Sequence, residues 1–165
     1  MTDERKVIEF SSKSVEYGFL SNFYESQFMF NGLPWMSVER FFQAQKFPGD
    51  LELQEKIRLS TSSAKAKQLG KTKSVHFRKD WPLIREDIML QGLLRKFEQN
   101  PQLAQKLLAT GNAELKEAAF WDSFWGLGRN GKGQNRMGHL LMYVREKLNS
   151  STFQTGTSST SSLNS

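Results

Sequence analysis

A carboxylate, an amide and an ammonium group share one face of a predicted helix that begins after Ser37. Glu39, Gln43 and Lys46 stand at positions i, i+4 and i+7, a spacing that brings side chains to one face of an α-helix. Phe42 lies beside them, so part of this face is expected to be buried. A half-buried carboxylate has a shifted pKa and suits acid–base chemistry or the stabilisation of a nearby cation. The alternative is a solvated helix face whose first-turn carboxylate is favoured by the helix dipole.

A glycine-rich segment, 126–133, precedes a second predicted helix, which begins near Asn135. The segment formally matches a dinucleotide-binding pattern, but no apolar strand leads into it and too little chain follows to build that unit. It also fails as a Walker A loop, because Gly133 stands where a Ser or Thr holds Mg²⁺. It remains a loop whose backbone can approach an anion at a helix N-terminus.

Trp121, Asp122 and Trp125 come directly before this loop. Aromatic rings stack on nucleobases with about 1–3 kcal/mol each, and Asp122 offers the second carboxylate that glycosidic chemistry usually needs. These residues therefore favour a pocket for a base and a sugar. The alternative is that the tryptophans belong to the hydrophobic core.

Basic residues are concentrated between Lys65 and Lys79. Such a run can hold phosphate or a nucleic-acid backbone, although a solvated surface is the more usual outcome. Arg78, close to Trp81, is placed to hold a phosphate or carboxylate through two hydrogen bonds.

Composition excludes several classes of protein. The chain of 165 residues has no cysteine, which excludes disulfides, thiolate catalysis and thiolate metal sites, and its two histidines are far apart. We therefore expect neither a metal nor a cofactor. No apolar run is long enough to span a membrane, and the charged start predicts a soluble, cytoplasmic protein. The net charge of +6 favours phosphate-bearing ligands or nucleic acid.

The elements that must position these residues can be read from the pattern. Asn31-Gly32 predicts a β-hairpin within residues 27–35, and residues 6–10 form a further β-prone segment. Helices are predicted over 37–47, 51–59 and 63–69, from Trp81 through an apolar stripe of Leu83, Leu90, Leu94 and Phe97, over 100–108, and from Asn135 to about Leu148. We expect an α+β, helix-dominated single domain, 1–149, with a small N-terminal antiparallel β element. Residues 150–165, almost all small or polar, are expected to form a disordered tail.

In this order, several short segments resemble the YbiA-like family, also called NADAR domains. The matching segments are Gly18–Phe23, Ser37–Phe47, Arg78–Trp81, Lys96-Phe97 with Asn100-Pro101, Thr110-Gly111, Asp122 with Trp125-Gly126, and Gly133–Gly138. The resemblance covers about Val7 to Leu148. It implies the family's fold and an N-glycosidase that needs no cofactor.

Members of that family hydrolyse the ribosylamine bond of phosphorylated riboflavin-pathway intermediates, or remove ADP-ribose from modified guanine. The resemblance therefore implies a hydrolase whose partner is a phosphorylated ribosyl small molecule or an ADP-ribosylated nucleobase in nucleic acid. Glu39 and Asp122 are the expected catalytic residues, and either of them could activate water. The expected substrate-binding residues are Asn22, Phe23, Gln43, Lys46, Arg78, Trp81, Trp125, Gly126 and Asn135. Trp81 and Trp125 would sandwich the base, while Lys46, Arg78 and the 126–135 loop would hold phosphate.

Two further points stay open at this level. Arg40 stands where the family often has His, and we expect it to shift the preference toward a more acidic ligand. A non-catalytic module that binds ADP-ribose or NAD, and a nucleic-acid-binding domain that uses residues 65–79, are the alternative functions.

Overall fold

Helices dominate the structure, and four short strands form two two-stranded sheets within the described residues. The computed structural model describes residues 4–157, with side chains through residue 151. In chain order the elements are β1 (Val7–Phe10), a 3₁₀ turn (Gly18–Leu20), β2 (Phe28–Phe30), β3 (Leu33–Trp35), α1 (Val38–Ala44), α2 (Leu51–Arg58), α3 (Ser63–Leu69), α4 (Trp81–Gln99), α5 (Pro101–Ala109), β4 (Glu114–Glu117) and α6 (Arg136–Thr157). The predicted α+β, helix-dominated class is confirmed.

The predicted hairpin forms around Asn31-Gly32. Both residues have positive φ, 49° and 78°, which a tight two-residue hairpin turn requires. Strand β2 pairs antiparallel with β3, with Phe28 opposite Trp35. Both rings are buried and pack edge-on against Phe41 of α1. The hairpin therefore covers one side of the helix that carries Glu39.

A second strand pair was not predicted. Strand β1 pairs in parallel with β4, with Val7 opposite Glu114 and Phe10 opposite Glu117. A parallel pair needs a long crossover connection, and here helices α1–α5 supply it. The pairing brings Glu117, far away in sequence, beside Phe10 of β1.

Helix α1 begins and packs as predicted but ends at Ala44 rather than near Phe47. Ser37 caps it, since its hydroxyl accepts a hydrogen bond from the Arg40 N–H at 3.3 Å. The helix contacts α2, α3, α4 and β3, so every one of its residues is buried. The polar face with Glu39 and Gln43 is therefore inside the molecule, which excludes the solvated alternative.

Helix α4 starts at Trp81-Pro82 as predicted, but its predicted apolar stripe is partly wrong. Leu83 is 84% exposed. The buried face instead contains Met89, Leu93 and Lys96, and a separation of six residues places Leu83 roughly 120° away from Met89 around the helix.

The C-terminal helix extends past the predicted domain boundary at 149. Helix α6 continues to Thr157, because extending an existing helix is far easier than nucleating one. The rest of the predicted tail, residues 158–165, lies outside the described residues. Within residues 4–157, no helix combines the length and the apolar content needed to cross a membrane.

Candidate active site

A cavity of about 260 Å³ opens beside α1. Its walls come from the loop at 21–23, helix α1, the start of α4 and the segment 117–125. The predicted site residues that line it are Asn22, Phe23, Glu39, Gln43, Lys46, Trp81, Asp122 and Trp125. The structure thus brings together most of the residues that the sequence singled out.

Glu39 is held in place by two side-chain amides. Its side chain lines the cavity although the residue is only 3% exposed. The Gln43 amide donates a hydrogen bond to Oε1 at 2.7 Å, and the Asn22 amide donates one to Oε2 at 2.5 Å. Each oxygen keeps one lone pair free, so a sugar hydroxyl or a water in the cavity can bind the same carboxylate.

Burial and positive charge act on Glu39 in opposite directions. Burial raises the pKa of its carboxyl group, whereas the hydrogen bond from Gln43 and the charges of Lys67 and Lys46 lower it. Burial also lowers the pKa of Lys46, and the charge of Glu39 opposes that shift. The carboxylate is therefore a stronger base than a solvated one, while two cations favour its ionised form.

The aromatic wall of the cavity is continuous. Phe42 packs against Trp81 with ring centroids 4.9 Å apart and against Trp125 at 5.7 Å. Phe42 therefore links the two indoles into a single aromatic surface. Lys46 lies 5.8 Å from the Trp81 ring centroid, at the edge of this surface.

Asp122 reaches the cavity with part of its carboxylate already engaged. Its Oδ1 accepts hydrogen bonds from the backbone N–H groups of Phe124 and Trp125, at 2.9 and 2.8 Å. This carboxylate shapes the turn that presents Trp125, a positioning role that the sequence analysis did not anticipate.

Arg78 does not line the cavity, so the structure gives no support to the prediction that it binds substrate. Its guanidinium makes a double hydrogen bond to Asp80, at 2.9 Å for each contact, on the outside of the protein. The Asp80 carboxylate thus accepts the two guanidinium hydrogen bonds that a phosphate was expected to accept. The Arg78 backbone N–H contributes differently, by donating to the Lys46 carbonyl at 2.9 Å.

The start of α6, directly after the glycine-rich loop, does not offer its first N–H groups to a phosphate, so the structure gives no support to the predicted binding role of Asn135. The N–H groups of Asn135, Arg136 and Met137, at the start of α6, donate to the carbonyls of residues 126, 124 and 125. No free donors therefore remain at these positions for an anion. A Cβ at Gly126 would lie 3.0 Å from the Glu117 carbonyl, so this glycine permits close backbone packing.

Asn135 has a structural role behind the cavity. Its side-chain carbonyl accepts from the Glu117 N–H at 2.9 Å, and its amide donates to the Leu115 carbonyl at 2.9 Å. These bonds fix strand β4 against the start of α6.

Arg40 points away from the cavity, contrary to the expectation that it tunes the ligand preference. Its guanidinium donates to Glu25 at 2.9 Å and to the Ser60 carbonyl at 3.1 Å. The residue is buried and ties α1 to the segments that carry Glu25 and Ser60.

Three charged lining residues were missed as site residues. Glu117 belongs to the unpredicted strand β4, Arg85 had no local signal, and Lys67 was seen only as one member of a basic run. Arg85 stacks over Phe124, with Cζ 3.5 Å from the ring centroid, and its Nε is buried without a hydrogen-bond partner. Across residues 4–157, no three His, Cys, Asp or Glu side chains are grouped to hold a metal ion.

Comparison with known proteins places this geometry in a family. The NADAR domain model matches residues 9–149. N-glycosidase YbiA of Shigella flexneri is 43% identical over 142 residues, covering 86% of this chain and 88% of that protein. A riboflavin biosynthesis protein of Vibrio vulnificus is 43% identical over 141 residues, 86% of this chain and 38% of the relative. The NMR structure of Escherichia coli YbiA matches with a TM-score of 0.81 and 40% identity, over 90% of this chain and 88% of that one. The chain belongs to the NADAR domain family.

Proposed function

We propose that this enzyme is an N-glycosidase that hydrolyses the ribose C1′–N bond of a phosphorylated ribosyl-base substrate. The names of the relatives, N-glycosidase and riboflavin biosynthesis protein, support the reaction class. The observation that carries the proposal is the buried Glu39 carboxylate, fixed by two amides and facing an aromatic-lined cavity.

Cleavage of a C1′–N bond passes through an oxocarbenium-like state with positive charge on the ribose. A preplaced carboxylate beneath the sugar stabilises this charge without having to reorganise. Glu39 fills this role, and it also accepts a proton from the water that attacks C1′. Asn22 and Gln43 keep its two oxygens at fixed positions.

Phosphate is bound by the cations that line the cavity, Lys46, Lys67 and Arg85. The buried Nε of Arg85 has no partner within the protein and is available to donate to a ligand. The Lys67 Nζ lies 5.9 Å from the Phe23 ring centroid, and its charge acts on both Glu39 and Glu117. These residues replace Arg78 and the 126–135 loop in the substrate site.

The base packs on the wall formed by Phe42, Trp81 and Trp125. A cavity of about 260 Å³ is slightly smaller than most small-molecule sites, which span about 300–1,000 Å³. This size favours a compact pyrimidine ribosylamine 5-phosphate, whereas an ADP-ribosyl group would extend past the exposed Trp121 at the rim.

The test is to identify products by mass spectrometry after incubating the protein with three substrates. These are a pyrimidine ribosylamine 5-phosphate, ADP-ribosylated guanosine and NAD. We expect free base and ribose 5-phosphate from the first at the highest rate. Release of guanine from the second alone would assign the larger substrate. Binding of all three without any product would refute the glycosidase proposal and favour a module that binds ADP-ribose or NAD.

A further inference from the structure

We propose that Glu117 is the proton donor to the leaving nitrogen. This inference rests on the proposed glycosidase function and adds a second catalytic residue to it. The amine or amide nitrogen leaves poorly as an anion, so the reaction needs an acid on the base side of the bond.

The first observation is the position of Glu117 in the cavity. It is the last residue of β4 and lines the same cavity as Glu39 and the aromatic wall. Its backbone is fixed independently of its side chain, because its N–H donates to the Asn135 side chain and its carbonyl accepts from the Leu127 N–H at 3.0 Å. The strand therefore presents the carboxyl group at a defined place.

The second observation is that its carboxyl oxygen Oε2 is buried without a hydrogen-bond partner. An unpartnered buried oxygen is costly as an anion but acceptable as a neutral carboxyl group whose O–H points to a ligand. Asp122, in contrast, already accepts two backbone hydrogen bonds at Oδ1, so part of its carboxyl group is committed to the turn at residues 122–125. Of these two carboxyl groups, Glu117 is the one suited to carry a proton.

The surrounding charges agree with this assignment. Burial raises the pKa of Glu117 to about 7, the charge of Asp122 adds to this effect, and Lys67 opposes it. Glu39, Lys46 and Arg85 are the other charged groups that line the cavity. Lys67 lowers the pKa of Glu39 as well, so one ammonium group acts on both carboxyl groups. At each of them, burial has the larger effect on the pKa.

The proposed step is balanced. The Glu117 carboxyl proton moves to the leaving nitrogen as the C1′–N bond breaks, and the electron pair of that bond stays on nitrogen. The oxygen of one water forms the new bond to C1′, and the proton that this water loses goes to the Glu39 carboxylate. Exchange with solvent then returns the proton from Glu39 to Glu117, so each turnover consumes only water.

The test compares wild type, Glu117→Gln and Asp122→Asn on two substrates. One is the pyrimidine ribosylamine 5-phosphate, and the other is 4-nitrophenyl ribofuranoside 5-phosphate, whose leaving group departs without protonation. We expect Glu117→Gln to lower kcat on the ribosylamine by about 10²–10⁴-fold with little change in KM, and to lower kcat on the nitrophenyl substrate by less than about tenfold. Asp122→Asn should affect both substrates alike.

The pH profile is a second readout. Wild-type kcat on the ribosylamine should fall as pH rises through about 7, and Glu117→Gln should lack this alkaline limb. The inference is overturned if the limb persists in Glu117→Gln, if that variant loses activity equally on both substrates, or if Asp122→Asn shows the leaving-group dependence instead. Failure of the wild type to release any base would refute the proposed function itself, so the two failures are distinct.

Discussion

Substitution of Gly70 by alanine is expected to reduce activity while leaving the fold intact. Gly70 ends α3 with φ −63° and ψ −11°, a conformation that alanine adopts without strain. A Cβ at this position would lie 1.8 Å from Oε1 and 2.6 Å from Cδ of Gln43. Since these atoms are the far end of a flexible side chain, the amide is displaced rather than the backbone.

The displaced amide is the one that donates to Glu39 at 2.7 Å. A hydrogen bond to a charged group contributes about 1.5–3 kcal/mol, which corresponds to roughly 10- to 150-fold in rate if it positions the carboxylate in the transition state. Alanine also stabilises by about 0.4–1 kcal/mol through the unfolded chain, which offsets the rearrangement of Gln43. We therefore expect a large loss of kcat/KM with a free energy of unfolding within about 1 kcal/mol of wild type.

The assay is kcat/KM on the ribosylamine phosphate, together with urea unfolding, in a double-mutant cycle with Gln43→Ala. Once the amide is removed, Gly70→Ala has nothing to displace and should change activity no further. Gly18→Ala is the control, because a Cβ there meets nothing within 4 Å. Equal losses from Gly70→Ala in both backgrounds, or full activity of the single variant, would refute the reasoning.

Three further expectations follow from the placement of charged groups. Lys67→Met should raise KM for a phosphorylated substrate by about tenfold, equivalent to ~1.4 kcal/mol, because Lys67 lines the cavity. Arg78→Met should leave KM unchanged in the same steady-state assay, because Arg78 is paired with Asp80 outside the cavity. Arg40→Lys should lower the free energy of unfolding by about 1–3 kcal/mol with kcat/KM unaltered; a change in substrate preference would contradict its outward orientation. Folding raises the pKa of Glu117 from 4.5 to about 7, so between these values the folded protein holds a proton that the unfolded chain has released, and wild-type stability falls as pH rises. The free energy of unfolding of Glu117→Gln, measured with urea, should therefore rise relative to that of the wild type by about 1–3 kcal/mol between pH 4.5 and pH 8. A difference between the two proteins that does not change with pH would refute this.

Local patterns predicted those parts of the fold that depend on near neighbours. Ser37 caps α1 because its hydroxyl meets an N–H three residues later, and Asn31-Gly32 turns the hairpin through its own φ values. Glu39 and Gln43 were placed on one face by helical spacing alone. Each of these features is set within a few residues of chain.

The rest of the site depends on contacts between distant segments. Residues 114–117, Glu-Leu-Lys-Glu, contain no β-branched or aromatic residue, so nothing local indicates a strand, and their pairing with β1 is set by the whole fold. Glu117 was therefore missed. Lys96 gives the same lesson, because a lysine on a helix predicts a solvated side chain, yet it is fully buried and donates to the Phe19 and Ser21 carbonyls at 2.6 and 3.0 Å.

The glycine loop and Arg78 show why composition alone misled. Glycines and a basic residue are compatible with phosphate binding, but whether their donors are free depends on which acceptors fold against them. Here backbone carbonyls accept from the N–H groups of residues 135–137, and Asp80 accepts from the Arg78 guanidinium. Such competition is visible only in three dimensions.

The central claim is that the charge of the Glu39 carboxylate drives bond cleavage. Its most direct test is single-turnover hydrolysis by Glu39→Gln, with Glu52→Gln as a control that removes a carboxylate exposed outside the cavity. The account predicts that Glu39→Gln loses about 10²–10³-fold or more in rate while its Kd for ribose 5-phosphate, measured by calorimetry, stays within about threefold of wild type. A rate within about tenfold of wild type, with product released normally, would contradict it.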